Sequence, residues 1–188
     1  MLTINVDAWI IQDGNYDDFE AGKNYKFALE FYPLKVSKTT CREKTLVHLG
    51  HSYYKLNAHV VFVSSRCWII DFGLLAYDKI DAKLDVRGGE YVEIEGYLGL
   101  DPFFYFEDLK NEENIPPMIY EWAVKKICLD VTPWIENADG EGSKIPVRDK
   151  ERMAYKEIFK TDVWEDDDGN ASYLFEVERS GSEPSYQR

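Results

Sequence analysis

Hydrophobic and polar residues alternate along much of the chain, and this period of two is typical of half-buried β-strands. In the first segment Ile4, Val6 and Ala8 share one face, while Asn5 and Asp7 occupy the other. The same alternation predicts further strands near residues 25–32, 56–62, 90–98 and 173–177, and the apolar run 67–70 is interpreted as another, which could be the return limb of a hairpin. We therefore predict a mainly β, antiparallel protein of about eight strands, folded as a Greek-key barrel of OB-like type or as a sandwich, with one or two short helices.

Four other segments carry weaker patterns. Residues 35–51 lack periodicity and are interpreted as a long loop. Apolar residues recur every three or four positions over residues 74–84, which predicts a short helix. Residues 116–130 and 149–160 fit either a helix or a strand, and aromatic and β-branched residues favour a strand for the first of them. The first two predicted strands are expected to be antiparallel neighbours.

Turn-forming residues divide the chain into a core and a C-terminal addition. We assign residues 1–136 to a β-barrel or sandwich core and residues 137–143 to a linker, because their sequence is Asn-Ala-Asp-Gly-Glu-Gly-Ser. Residues 144–179 are predicted to form an extension that packs on the core and ends in a β-hairpin, with its turn at 165–170. Residues 180–188 are small and polar, and a disordered tail is expected there.

The charge of the chain restricts its partners. The 188 residues include 35 acidic and 22 basic side chains, which gives a formal net charge of −13. Such a surface repels polyphosphates, so a nucleic acid is not expected as a partner. No apolar run approaches the roughly 20 residues that span a bilayer, so no membrane association is expected. Three widely spaced cysteines make a poor disulfide framework, which favours a reducing, cytoplasmic location.

Motifs for catalysis and metal binding are weak throughout the sequence. His48 and His51 have a chelating spacing, but a zinc site needs a third ligand. The fold would have to bring one near them, from His59, Cys41 or Cys67. Glu93 and Glu95 share a predicted strand face, as a glycosidase pair would, although alternating glutamates are also ordinary on a solvent face. Nucleophile, P-loop and dinucleotide-binding motifs are absent. We therefore predict no catalytic residue, no metal and no cofactor, and favour a protein that is not an enzyme.

Uneven charge and an aromatic run indicate a binding surface instead. Acidic residues peak at Glu165–Asp168. Phe103–Phe106 are four consecutive aromatic residues, so in a strand either both faces are buried or two rings project from the surface. The leading hypothesis is a soluble, acidic, non-enzymatic binding module that engages a basic protein, immunity-like or inhibitor-like by analogy only. Its predicted partner-binding residues are Asp139, Glu141, Glu165, Asp166, Asp167, Asp168, Phe104 and Phe106.

Two alternative functions stay open. In the first, an OB-like barrel binds single-stranded nucleic acid or an oligosaccharide through exposed rings beside the basic segment 35–55. The ligand-binding residues of that alternative are Tyr53, Tyr54, Tyr91 and Tyr97. In the second, the protein is an enzyme whose carboxylate or histidine site is assembled from residues scattered along the chain.

Overall fold

The computed structural model describes residues 1–79, 85–138, 144–181 and 183–187. Within these ranges the chain forms thirteen β-strands, one short α-helix, a π-helical turn and a 3-10 turn. Eleven strands belong to one mixed sheet in which antiparallel pairs dominate, and the other two form a separate hairpin. The prediction of a mainly β, largely antiparallel protein is therefore confirmed, while the described strands outnumber those predicted.

Short strands separated by turns account for most of the described chain. The elements are β1 (Leu2–Asp7), α1 (Ala8–Gln12), β2 (Asn24–Phe27), β3 (Leu29–Thr39), β4 (Thr45–Gly50), β5 (Tyr53–Val63), β6 (Cys67–Asp71), β7 (Leu75–Lys79), β8 (Tyr91–Leu100), the π-helical turn (Tyr105–Leu109), β9 (Tyr120–Asp130), β10 (Trp134–Ala138), β11 (Lys144–Arg148), β12 (Tyr155–Ile158), the 3-10 turn (Asp166–Gly169) and β13 (Ser172–Arg179).

Five of the strands pair in a closed circuit. β8 pairs antiparallel with β3 on one side and with β5 on the other. β5 continues to β6 and β6 to β7, and β7 returns to β3 through a parallel pairing. Alternate side chains of a strand point to opposite faces, so one face of each strand lines the interior of the circuit. On β5 that face carries Tyr54, Leu56, Ala58 and Val60, which are all buried.

The N-terminal and C-terminal strands extend the sheet beyond this circuit. β1 pairs antiparallel with β13 and meets β8 through one parallel bridge, between Asn5 and Gly99. β13 also pairs with β9, whose other edge carries β2 at one end and β12 at the other. Only Ala28 separates β2 from β3, so these strands close a second circuit that shares β3 and β8 with the first. One cluster of buried hydrophobic residues runs through both.

Aromatic side chains fill much of this shared core. Trp68 of the first circuit and Trp122 of the second are at most 1% exposed. Phe31 packs edge-on against Trp68 with ring centroids 4.9 Å apart, and Phe27 stacks on Trp122 at 5.7 Å. The Trp122 indole N–H donates to the Phe27 carbonyl at 3.1 Å, so its polar atom is satisfied. A smaller cluster packs on the opposite face of β6 and β7, against the π-helical turn.

Two segments differ from their predicted structure. Residues 35–51, predicted as a loop, contain much of β3 and all of β4. β4 lies at an edge of the sheet and is largely exposed on both faces, so its residues need not alternate. Residues 74–84, predicted as a helix, contain β7, while 80–84 lie outside the described residues. Both faces of β7 are covered, which buries the adjacent Ala76 and Tyr77 and removes the period of two.

The pairing of the terminal strands also differs from the prediction. Among the described strands, β1 pairs with β13 and β8, not with β2 or β3. β12 and β13 lie on opposite sides of β9, so they do not form the hairpin predicted around the turn at 165–170. The two segments that fitted either a helix or a strand, 116–130 and 149–160, contain the strands β9 and β12. Of the predicted linker, 137–138 end β10, 139–143 lie outside the described residues, and β11 follows as the partner of β10.

The described part of the C-terminal tail is attached to the fold, contrary to the predicted disorder. Ser185 and Ile119 exchange two backbone hydrogen bonds of 2.8 and 2.9 Å. The Tyr186 hydroxyl donates to the Ile115 carbonyl at 2.8 Å. The small, polar composition of the tail did not reveal these contacts, because they are made mainly by its backbone.

Candidate functional site

The predicted acidic turn has two carboxylates that hold the fold together. Asp166 Oδ2 accepts hydrogen bonds from the Tyr173 hydroxyl and from the backbone N–H of Asp162, both at 2.9 Å. Asp167 forms an ion pair with Arg148 and accepts the Trp134 indole N–H at 3.2 Å. Both side chains are half-buried. These two carboxylates therefore fix the shape of the turn.

The other two carboxylates of the turn face solvent. Glu165 and Asp168 are exposed, and neither has an ion-pair partner among the described residues. The backbone bends sharply here, because Asp167 and Asp168 have φ values of 50° and 53°, in the left-handed region. Asp139 and Glu141, predicted as part of the same surface, lie outside the described residues. Of the four predicted acidic residues that the structure describes, Glu165 and Asp168 are thus open to solvent.

Three of the five tryptophans are exposed and belong to segments attached to this turn. Trp164 is 67% exposed, and Trp9 and Trp134 are each 46% exposed. Trp134 is attached to the turn through Asp167, and the Arg148 guanidinium lies over its ring at 4.0 Å. We call Trp9, Trp134, Trp164, Glu165 and Asp168 the tryptophan–acid surface.

The helix that carries Trp9 is also attached to the turn. Gln12, at the end of α1, donates from Nε2 to the carbonyls of Val163 and Gly169, at 2.8 and 2.9 Å. The sequence did contain a signal for Trp9, because the alternation of the first segment places this residue with the polar positions rather than with the buried ones. Trp164 directly precedes the acidic run, which is a second signal that the prediction did not use.

Phe104 and Phe106, predicted as partner-binding rings, have a different environment. Both are half-buried and pack against the smaller hydrophobic cluster, next to the π-helical turn. The Lys79 ammonium lies over the Phe104 ring at 2.8 Å, and the Lys110 ammonium lies over the Phe106 ring at 3.5 Å. Their segment is helical rather than extended, which distributes four consecutive aromatic side chains around an axis.

The four tyrosines of the alternative ligand site do not form one surface. Tyr54 is 2% exposed, and its hydroxyl accepts from the Thr3 N–H and donates to the Thr3 carbonyl. Tyr91 stacks on His59 at 4.8 Å, whereas Tyr53 and Tyr97 pack together at 5.0 Å. Tyr97, Tyr91 and Tyr54 line three different clefts, so the four rings do not converge on one ligand site.

The basic segment beside these tyrosines is largely neutralised. Its lysines pair with carboxylates on neighbouring strands and turns: Lys35 with Glu95 at 2.8 Å, Lys38 with Glu90 at 3.1 Å, Lys44 with Asp71 at 2.6 Å and Lys55 with Glu93 at 3.0 Å. The Lys35 hydrogen bond lowers the pKa of Glu95, which keeps that carboxyl ionised. Glu93 and Glu95 are therefore held as ion-pair partners rather than as a proton donor and a nucleophile.

A cleft of about 450 Å³ opens on the outer face of β1, β8 and β13. Asn5 and Asp7 of β1 and Tyr97 of β8 line it, together with Tyr32 of β3. The β4–β5 turn and the start of β12 meet over it, because the His51 ring packs against the Tyr155 ring at 5.0 Å. None of these contacts is local in sequence.

Two buried carboxyls lie behind this cleft. Glu30 is 4% exposed and accepts the Tyr32 hydroxyl at 2.6 Å; burial raises its pKa to about 7. Asp101 is 2% exposed and accepts the Tyr77 hydroxyl at 2.5 Å and the backbone N–H of Tyr105 at 3.3 Å. Burial raises the pKa of Asp101 to about 6. Asp101 accepts a backbone hydrogen bond at the start of the π-helical turn, whereas Glu30 has no such backbone partner among the described residues.

Metal binding has no support in the described part of the chain. The rings of His48, His51 and His59 each pack against a tyrosine. No group of three or more histidine, cysteine, aspartate or glutamate side chains among the described residues is arranged to hold an ion.

Comparisons with known proteins give no relative. No family model matches the chain, and no curated protein and no solved structure is detectably similar to it. Over the residues that the structure describes, no helix has the length and apolar character needed to cross a membrane.

Proposed function

We propose that this protein is a non-enzymatic binding module that engages a basic protein through the tryptophan–acid surface. The observation that carries the proposal is that Trp9, Trp134 and Trp164 are exposed, on segments attached to one acidic turn by the chain, by Asp167 or by Gln12. Tryptophan is enriched among the residues that dominate binding energy at protein interfaces. Large exposed rings beside carboxylates therefore fit an interface better than a solvated loop.

The charge of the surface indicates the sign of the partner. Glu165 and Asp168 are exposed without a cationic neighbour in the described ranges, while Asp166 and Asp167 are used to hold the turn. An acidic patch speeds the encounter with a basic protein and selects its orientation. Because the turn is held by internal hydrogen bonds, less conformational entropy is lost on binding.

The proposal also includes an OB-like barrel architecture and a cytoplasmic location. The closed circuit of β3, β8, β5, β6 and β7 supports an OB-like barrel. The described cysteines Cys41, Cys67 and Cys128 are all free, which supports a reducing, cytoplasmic environment. Binding of single-stranded nucleic acid through this circuit has less support, because the lysines beside Tyr53 and Tyr97 are paired with glutamates.

Affinity capture from the native cells at low salt, followed by titration with the purified partner, tests the proposal. The partner should be basic and should be released at high salt. Trp164→Ala should weaken binding by about 30-fold, the effect of a residue that dominates an interface. Glu165→Lys combined with Asp168→Lys should slow association and reduce its salt dependence.

Two matched variants separate the surface from general effects. Glu107→Lys reverses an exposed acidic residue of the π-helical turn, and Leu34→Ala removes a 61% exposed apolar side chain of β3. Both should leave the affinity unchanged. Equal losses in the control variants and the surface variants, or a partner that binds without salt dependence, would contradict the proposal.

A further inference from the structure

The cleft beside β1 has aromatic walls. Tyr32 and Tyr97 are 40% and 41% exposed, and the Tyr155 ring, packed against His51, belongs to the same lining. The Tyr32 hydroxyl donates to the buried Glu30 carboxyl at 2.6 Å. The negative face of a tyrosine ring attracts a cation placed within about 6 Å of its centroid.

The polar side of the cleft carries uncompensated negative charge. Asp7 Oδ1 accepts hydrogen bonds from Asn5 Nδ2 at 3.0 Å and from Ser172 Oγ at 2.8 Å. Its second oxygen, Oδ2, has no hydrogen-bond partner among the described residues. None of the described residues that line the cleft is a lysine or an arginine.

The loop at the rim of the cleft is held in place. The Leu98 N–H donates to the Ser52 carbonyl at 2.9 Å, and Ser52 is 4% exposed. Gly50 and His51 have φ values of 128° and 51°, so this turn adopts an uncommon backbone that the surrounding structure maintains. The cleft is therefore a formed site rather than a gap between surface side chains.

We propose that this cleft binds the cationic end of an organic ammonium or guanidinium group, with the tyrosine rings around the cation and the Asp7 carboxylate as its counter-ion. Proteins recognise alkylated ammonium groups and arginine side chains by packing aromatic rings against the cation, with a carboxylate nearby as its counter-ion. An anion would meet Asp7 without any cationic side chain to offset it. The proposal does not depend on the tryptophan–acid surface, since the two sites share no residue.

NMR titration of the isotope-labelled full chain tests the proposal. The probes are tetramethylammonium chloride and Nα-acetyl-arginine amide, with Nα-acetyl-citrulline amide as the neutral analogue and glucose as a sugar. Both cations should shift resonances of Tyr97, Tyr155 and Asn5, with a Kd of about 1 mM. The citrulline derivative and glucose should bind at least tenfold more weakly.

Variants connect the binding to the cleft. Asp7→Asn keeps an oxygen that can accept from Asn5 and Ser172, and it should weaken cation binding about tenfold. Tyr97→Leu, at an exposed position, should weaken it about fivefold. Tyr91→Leu is the control on the same strand, because Tyr91 contacts His59 outside the cleft. It should leave the Kd unchanged.

The outcomes are distinct. Equal binding of the arginine and citrulline derivatives, tighter binding of glucose, or an unchanged Kd in Asp7→Asn would overturn the proposal. A Gly-Ser peptide with one arginine distinguishes the two sources of the cation. Affinity equal to that of the arginine amide indicates a free small molecule, whereas tenfold tighter binding indicates a protein side chain.

Discussion

Replacing Glu30 with glutamine should stabilise the protein above neutral pH and change little in acid. The Glu30 carboxyl is 4% exposed on β3, between β7 and β8. Burial raises its pKa to about 7 from an ordinary value of 4.5, and the negative charge of Asp101 adds to the rise, while the Tyr32 hydrogen bond opposes it. Glutamine has nearly the same shape, and its Oε1 can still accept from the Tyr32 hydroxyl.

The sign of the effect follows from proton uptake. Below about pH 4.5 the carboxyl is protonated in the folded and the unfolded chain, so it adds no pH-dependent free energy. Between pH 4.5 and about 7 the unfolded chain loses this proton while the folded chain retains it, so stability falls as the pH rises. Above that range the loss is complete and reaches about 3 kcal/mol, at roughly 1.4 kcal/mol for each pH unit between the two pKa values.

Urea unfolding, followed through the fluorescence of the buried Trp68 and Trp122, measures this difference. Glu30→Gln should raise the free energy of unfolding by about 2–3 kcal/mol at about pH 8 and by less than about 0.5 kcal/mol at about pH 4.5. The control is Glu93→Gln, at an exposed glutamate paired with Lys55, which should change stability by less than about 1 kcal/mol at either pH. A Glu30→Gln effect that does not vary with pH, or a loss of stability at about pH 8, would refute the reasoning.

Three further substitutions test how the fold supports its sites. Gly96→Ala should lower stability by about 1–3 kcal/mol in urea unfolding, because its Cβ would lie 2.3 Å from the Tyr32 carbonyl oxygen. The control, Gly88→Ala, should leave stability unchanged, because its Cβ would meet nothing within 4 Å. Gln12→Ala removes both hydrogen bonds from α1 to the acidic turn, and it should speed hydrogen exchange at the Asn170 amide without unfolding the core. Asp101→Ala should destabilise the protein by about 2–3 kcal/mol, since the buried Tyr77 hydroxyl and the Tyr105 N–H lose their acceptor; equal stability of this variant in thermal unfolding would contradict that role.

Most strands with one buried face could be predicted from the sequence, whereas of β4, β6 and β7, which lack that pattern, only the unbroken apolar run of β6 could. On β13, Tyr173, Phe175 and Val177 are fully buried and alternate with residues on the opposite face, so the period of two is preserved. β7 is buried on both faces and β4 on neither, so each lost the alternation for an opposite reason. Strand order was beyond the pattern altogether, since β1 finds its main partner, β13, at the far end of the chain.

The acidic turn was predictable because its charge is contiguous in sequence. The tryptophans around it come from three distant segments, and contacts by Gln12 and Asp167 bring them to the turn. The cleft combines Asp7, Tyr97 and Tyr155 from three strands whose pairing was not known. A site made by long-range pairing leaves no local motif, whereas an exposed tryptophan beside charged residues is a signal that a sequence does carry.

The distribution of charge over the folded surface connects the two proposed sites. On the outer face of β3, β5 and β8, lysines and glutamates form ion pairs, so that face contributes little to the net charge of −13. Glu165 and Asp168 on the tryptophan–acid surface, and Asp7 in the cleft, have no ion pair in the described ranges. Both sites therefore attract cations, but their shapes select different ones. Rings spread around a turn suit the extended surface of a basic protein, whereas a cleft of about 450 Å³ admits one cationic group.

If one protein occupies both sites, Trp164→Ala and Asp7→Asn should each weaken its binding, and the two losses of binding free energy should add when the sites act independently. If only Trp164→Ala has an effect on that protein, the cleft serves a separate ligand.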